Sequence, residues 1–419
     1  MEKLPEELLE QIVVNVGTLS QFGRRFYYRD FYNLSLVSHQ CHRIVKPYLY
    51  QKIPIWFSDD TSGWNHVHLA RTFCLQPQLK SHVTSVISSG FSASISEQAS
   101  WILELSRLKV VEVDLQHAPM QSLLPLLRIP SVTRLHIKNL VIDTQSTDQV
   151  MLPWDVTNYS ITTLKISIFD LKNLSRRRDC GELEMLGRAL KSMQVLQLDH
   201  VGDSGQNEGP TIMTFRVLVN TFRQAFATTL REFTFKQDVG NPFLEHAMID
   251  ARSIIKSSQL TRLQVDTNCL LRSTLVLAGN LRSLLLGPLC FPTTARKIYL
   301  RHRILVERMS PLDQNMMHSE EAQCLSHLIT LLVRLPKNSD LEEVTIAVFL
   351  TDWFEDVASR VVRKHARPSK RPIKFIFASV DDYCDRDDFR SWPTYYPVRD
   401  PRNDAYNPRL ALHSQICWK

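Results

Sequence analysis

At 419 residues the chain can bury one large core or several small ones, and 44% apolar with 22% charged residues is ordinary for a globular protein. A formal charge of +7, spread along the sequence, permits binding to nucleic acid or an acidic membrane but does not call for it. No apolar run reaches about eighteen residues, and the eight cysteines include no C-x-x-C pair, so a membrane span, a disulfide framework and a zinc ribbon are not expected.

The opening Glu2-Lys3-Leu4-Pro5 carries no charged-then-apolar leader, which leaves the cytoplasm or nucleus as the expected compartment. In LPEELLEQIVVNV, Leu4, Leu8, Ile12 and Val16 recur every four residues, and Leu9 and Val13 widen the stripe to the face an amphipathic helix buries. Pro5 suits a first helical turn, and Glu6 and Glu7 suit the positive end of the helix dipole. Gly17 is a plausible stop. After an arginine-rich interruption over 17–29, Asp30 can cap a second helix holding Phe31, Leu34 and Val37. Ser38 or His39 opens a third, with Cys41, Ile44 and Val45 on one face, and Pro47 is expected to end or kink it near Val45. Three short helices in about fifty residues bury too little to stand alone, and need something to dock on.

These residues resemble an F-box. The Leu4–Pro5 opening, the Leu8/Ile12 helix, LSLVSHQCHRIVKPYLY and its closing Leu49–Tyr50 match the family pattern. They are closest to the fungal variety, in which a Val-Ser-x-x-Cys/Phe run precedes P-x-L-Y. The resemblance covers residues 4 to about 53, and departs from the pattern in its long first interhelical connection, 17–29.

IPIWFS (53–58) reads as a strand leaving the helices, and HLARTFCLQPQLKSHVTSVISS as helix, break at Pro77, and strand. The latter is similar to the segment that joins the F-box to the C-terminal region of fungal F-box proteins. From residue 83 an apolar-x-x-apolar-x-apolar frame recurs. Its central residues are Val86, Val111, Leu135, Leu164, Leu196, Phe233, Leu263, Leu284 and Val344, with a degraded unit suspected around 297–306. Segments such as EQASWILELSRL, MQSLLPLLRI, ELEMLGRALKSM and TFRVLVNTFRQAFATTL lie between them with helical spacing. Strand, loop and helix at about 20 to 37 residues resemble leucine-rich repeats. Only LTRLQVDTNCL fills the full frame, with Asn268 where an asparagine bonds the turning backbone. Stacked units of this kind bury faces that no single unit can cover. A generic α/β domain with a parallel sheet is the alternative. One more helix and strand are expected over 351–377, then a Pro/aromatic-rich tail.

The expected fold class is therefore α/β: an N-terminal three-helix F-box, then an irregular leucine-rich-repeat-like solenoid of parallel strands backed by helices. Boundaries fall at 1–53 (F-box), 54–82 (connecting segment and cap), 83–377 (repeats) and 378–419 (tail).

Motifs that hint at chemistry have plainer explanations. GDSG (202–205) copies a protease motif but lies in a polar loop without that family's other signatures. His39, Cys41 and His42 lack a fourth ligand nearby, and Asp381 to Asp388 lacks the glycine and terminal glutamate of a calcium loop. RRFYYR (24–29), SRRR (175–178) and RKHARPSKR (363–371) read first as solvated loops. With 12 glycines, no phosphate loop and no partnered nucleophile, the sequence offers no active site. Catalysis, a metal and a cofactor are not expected.

The resemblance implies the substrate-recognition subunit of an SCF-type cullin–RING ubiquitin ligase. A Skp-type adaptor would meet Leu4, Pro5, Leu8, Ile12, Leu34, Val37, Ser38, Ile44, Leu49 and Tyr50, and a protein target would meet the repeats. Alternation puts Arg134, His136, Lys138, Lys165, Gln197, Arg262 and Gln264 outward from the apolar strand positions, as candidate target contacts. The alternative function is a non-catalytic scaffold for an acidic protein or nucleic acid, although nucleic acid is not the expected partner, nor is a membrane.

Overall fold

The structure is a computed structural model, and describes residues 5–20, 27–56, 65–89, 100–115, 123–138, 156–167, 181–199, 222, 225–226, 228–236, 259–266, 294–302, 340–348 and 373–379. It is an α/β protein in two compact units: Met1–Met193 with Asp203–Gln206, and Gln194–Gly202 with Asn207–Lys419. The stretch 83–377 expected to hold the repeats thus contributes to both. No helix among the described residues is long and apolar enough to cross a membrane.

Three helices open the first unit: α1 (Glu6–Ser20), α2 (Tyr27–Ser35) and α3 (His39–Gln51). The Pro5 carbonyl accepts the amides of Leu8 at 3.1 Å and Leu9 at 3.2 Å, so the proline sits where its missing N–H costs nothing. Gly17 does not stop α1, which runs on to Ser20; one glycine inside a helix costs only about 1 kcal/mol. Asp30 lies within α2 and is not its cap. Ser38 does cap α3: its backbone is extended and its hydroxyl accepts the Cys41 amide at 3.1 Å.

Pro47 neither ends nor interrupts α3. Its ring forfeits the bond to the carbonyl four residues back, a cost of about 3 kcal/mol. Against that cost, Val45 is fully buried and Tyr48 and Leu49 pack on the same core as Val13, Phe31 and Ile44. A buried large apolar side chain contributes roughly 1.5–3 kcal/mol, so packing wins. The Phe31 and Tyr48 rings, 5.8 Å apart, close this core.

Beyond α3 the chain enters β1 (Lys52–Trp56), close to the expected strand. Helix α4 (Asn65–Leu75) comes next, then a 3-10 helix, Pro77–His82, at the predicted break. Phe73 of α4 is fully buried, 6.2 Å edge-on from the Tyr50 ring and 5.0 Å from Trp101, which lies in a 3-10 turn, Ser100–Glu104. One ring thus ties α3 to the segment ahead of β3.

Strands β1, β2 (Ser85–Ser89), β3 (Val110–Asp114), β4 (Arg134–Lys138) and β5 (Thr163–Ser167) pair in parallel, each with the next in sequence. Their register aligns Ile53, Val86, Val111, Leu135 and Leu164. In the second unit β6 (Val195–Asp199), β7 (Glu232–Lys236), β8 (Arg262–Asp266), β9 (Lys297–His302), β10 (Glu343–Val348) and β11 (Lys374–Ser379) do the same, aligning Leu196, Phe233, Leu263, Ile298, Val344 and Phe375. The central positions of the apolar frame are these register positions, with one exception. Leu284 lies outside the described residues, and β8 bonds directly to β9, so the unit between Leu263 and Val344 is centred on Ile298.

Seven of the described strands, β3 to β5 and β7 to β10, begin alike. One carbonyl accepts two successive amides from the next strand's entry: Lys109 from Thr133 and Arg134, Thr133 from Thr162 and Thr163, Arg231 from Thr261 and Arg262. Thr84, Thr133, Thr162 and Thr261, each directly before its strand, add a hydroxyl to the same kind of carbonyl. The repeated buried residue ahead of the strand (Val83, Leu108, Val132, Ile161, Met193, Leu230, Leu260, Ala295, Leu341) fixes where that happens.

The predicted helices are uneven. Among the described residues EQASWILELSRL yields the 3-10 turn at Ser100–Glu104, MQSLLPLLRI a turn of α-helix at Leu124–Leu127, and ELEMLGRALKSM a helix at Gly181–Ala189. Of TFRVLVNTFRQAFATTL, Phe222 and Phe226 are buried, helical and stacked at 5.7 Å. Asn268 lies outside the described residues. Asn158, which the sequence did not single out, does an asparagine's work: its side chain accepts the amides of Ser160 at 2.7 Å and Ile161 at 2.8 Å and donates to the Leu127 carbonyl at 2.8 Å. Asn158→Ala strands three backbone groups, and should lower stability by about 3 kcal/mol, read as a fall in the denaturation midpoint. Asn158→Asp keeps the acceptor and should cost less.

Candidate functional site

Two surfaces are candidates, and they differ in chemistry. The first is the outside of the helical unit. Leu9 and Val13 face the core, whereas Leu8 and Ile12, one position away along α1, are exposed. The predicted stripe therefore divides between an inner and an outer face. Leu36 and Val37 form the turn between α2 and α3, where their amides bond to Asn33 and Leu34 carbonyls, and their side chains are 66% and 70% exposed. Tyr32 and Val14 are exposed as well.

The residues assigned to an adaptor fall into three groups. Pro5, Leu8, Ile12, Val37 and Ser38 are exposed. Leu34, Leu49 and Tyr50 are half-buried, the first two against the unit's core and Tyr50 against Phe73. Ile44 is buried in the core at 6% exposure, so its side chain holds the helices together and does not present itself to a second chain. Leu4 lies outside the described residues. Arg43 and Glu6 form a 2.5 Å ion pair that ties α3 to the first turn of α1; both ends are wet, so it adds little.

The second surface is the polar face of the sheet in the first unit. Register places Glu112, His136 and Lys165 side by side on β3, β4 and β5, with Asp114, Lys138 and Ser167 in the next outward row. His136 uses both ring nitrogens: Nδ1 is 3.2 Å from Glu112 Oε2 and Nε2 is 3.1 Å from Ser167 Oγ. The Lys138 ammonium also bonds to Glu112, at Oε1.

Burial alone raises the Glu112 carboxyl, but the hydrogen bond from His136 and the Lys138 charge outweigh it and hold the group far below the usual carboxylate range. Burial is the first cause lowering His136, with Lys165 and Lys138 adding to it against the pull of Glu112. The imidazole is therefore neutral at pH 7. An ionised carboxylate can only accept, so Nδ1 carries the proton and Nε2 offers its lone pair to the Ser167 hydroxyl.

No protein-family model matches this chain, and no curated protein does.

Of the predicted target contacts, Arg134, His136, Lys138 and Lys165 thus share the sheet face of the first unit. Arg134 is exposed, and His136 is 8% exposed and engaged on both sides by the protein's own groups. Gln197, Arg262 and Gln264 belong to the second unit. There Arg262 sits 4.9 Å over the Tyr299 ring and 3.8 Å from Glu232, and Gln264 is in register between Thr234 and Tyr299. Glu112, Ser167 and Tyr299 were not anticipated. Their signal was available in principle, as polar residues at alternate positions of neighbouring strands, but only once the register was known.

Cys41 is buried, whereas His39 and His42 are exposed. Among the described residues no group of three or more His, Cys, Asp or Glu is placed to hold a metal ion. GDSG, SRRR, RKHARPSKR and Asp381 to Asp388 lie outside the described residues.

These two shifts make stability depend on pH. The unfolded chain binds a proton at His136 as pH falls through about 6.5, while the folded chain resists, so folding stability declines below that point. Glu112 contributes stability above its unfolded value of 4.5, lost only at lower pH. Urea midpoints should be lower at pH 5.5 than at pH 7.5, and His136→Gln should flatten the difference.

Proposed function

We propose that this chain is the substrate-recognition subunit of an SCF-type cullin–RING E3 ubiquitin ligase. Residues 1–53 bind a Skp-type adaptor as an F-box, and the strand-bearing remainder, an irregular leucine-rich-repeat-like solenoid, presents a protein target. One observation carries the reading. The helical unit closes a core of Val13, Phe31, Ile44 and Val45, yet leaves Leu8, Ile12, Leu36 and Val37 in water. Apolar side chains left exposed on a helix and in the turn beside it are what a second chain covers, and a few such anchors dominate the affinity of an interface. The F-box resemblance of the same residues supplies the partner's identity.

In that role the chain breaks no bond. It holds a target near a ubiquitin-charged enzyme, which raises the effective concentration of one for the other. The repeated apolar frame, its parallel register and the shared strand entry support the repeat reading. The test is direct. Purified full-length chain mixed with a Skp-type adaptor should elute as one complex in size-exclusion chromatography; separate elution at micromolar concentrations would end the proposal.

A further inference from the structure

The polar row on β3, β4 and β5 contains more than a recognition surface needs. We propose that Ser167, His136 and Glu112 form a hydrolytic centre for small carboxylic esters, independent of adaptor binding. The argument starts from direction. Glu112 fixes the imidazole with its proton on Nδ1 and its lone pair toward the serine, 3.1 Å away. A nucleophile, a base and a third group orienting the base, each within hydrogen-bond reach, is the arrangement that activates a serine.

Position adds a second argument. Ser167 is the last residue of β5, at the carboxyl edge of the parallel sheet and in register with Lys138 of β4. Lys165, in register beside His136, brings positive charge to the same face, of the sign a developing oxyanion requires. Ser167 is only 7% exposed, which restricts the substrate to small acyl groups.

In the first step Ser167 Oγ attacks the ester carbonyl while His136 Nε2 takes its proton. The tetrahedral adduct collapses, the C–O bond to the alcohol breaks, and Nε2 returns the proton to the leaving alcohol. Water, deprotonated by the same nitrogen, then attacks the acyl-serine, releasing the carboxylic acid and regenerating the hydroxyl. Ser167 and His136 are the catalytic residues; Glu112 is a positioning residue.

A fluorophosphonate with a short alkyl tail tests this on the full-length protein, with the modified peptide identified by mass spectrometry. The expected result is phosphonylation at Ser167, abolished in Ser167→Ala and slowed at least ~100-fold in His136→Gln. Glu112→Gln should slow labelling and move its pH midpoint downward, because the carboxylate that sustains the basicity of the imidazole is gone; a purely structural loss would leave the midpoint in place. Ser167→Cys, close in shape, gives a check independent of folding losses. The thiol it introduces should react with iodoacetamide faster than the exposed Cys74. Native protein unlabelled at Ser167, equal labelling in His136→Gln, or a Ser167→Cys variant whose new thiol reacts more slowly than Cys74 would each overturn the proposal.

Discussion

Replacing Phe73 with alanine is expected to lower the stability of the first unit by about 3–5 kcal/mol. The ring is fully buried and touches aromatic partners on two other elements, Tyr50 at the end of α3 and Trp101 ahead of β3. Truncation removes the transfer free energy of the ring and leaves a cavity whose walls belong to three segments, so the site has little freedom to collapse. A domain's whole stability is only about 5–15 kcal/mol, so this one change removes a large part of it. Urea denaturation followed by far-UV circular dichroism measures it. Phe73→Leu, which fills most of the space, should cost about 1.5 kcal/mol or less. A loss under about 1 kcal/mol for the alanine variant would mean that the aromatic chain does not couple the helices to the sheet.

The second large effect is on binding. Val37→Glu should weaken capture by a Skp-type adaptor at least ~30-fold, the equivalent of an anchor of about 2 kcal/mol lost. Val37 is 70% exposed in the turn between α2 and α3, so the free protein should lose no more than about 0.5 kcal/mol of stability. Leu8→Glu should behave the same way. Ile44→Ala is the contrasting variant. Its side chain is inside the core, so it should cost roughly 2–4 kcal/mol of folding stability and reduce adaptor capture only as far as it unfolds the helices. Unchanged affinity in a folded Val37→Glu/Leu8→Glu double variant would remove the support for the ligase reading.

Much of the sheet was legible in the sequence, and the reason is local. An apolar-x-x-apolar-x-apolar frame records one strand and the buried residue at its entry, and both signals lie within about six positions. Val86, Val111, Leu135 and Leu164, and likewise Leu196, Phe233 and Leu263, could therefore be aligned from the sequence alone. Where leucines crowd together, the frame loses its discrimination. LRSLLLG (281–287) fits it well but lies outside the described residues, whereas the strand between β8 and β10 is KIYLRH, within the degraded unit suspected around 297–306, with the small Ala295 at its entry.

The helical connections were read less well because their spacing does not say how many turns survive. Among the described residues of MQSLLPLLRI, whose periodicity is helical throughout, the α-helix is the turn Leu124–Leu127, with Pro125 in it. Pro47 erred the other way, since the burial of Val45, Tyr48 and Leu49 on a distant α1 and α2 cannot be seen from α3 alone. The Glu112–His136–Ser167 chain was illegible for a related reason. Its members lie 24 and 31 residues apart, and alternation gives the face of each but not which of them meet. The outer helical face was legible only in part. Which leucines turn inward was not, because a four-residue stripe and its neighbour one position on look equally apolar.

Within each unit, the pairing of each described strand with its successor also bears on biosynthesis. The residues that β1 needs come soon after it, since Ile53 meets Val86 and Val86 meets Val111. At the usual ribosomal pace of about 5–20 residues per second, the partner of a newly emerged strand is delivered within roughly 1–9 s. The nascent chain can thus shelter each oily edge almost as soon as it appears, with no need to wait for the C-terminus to be translated.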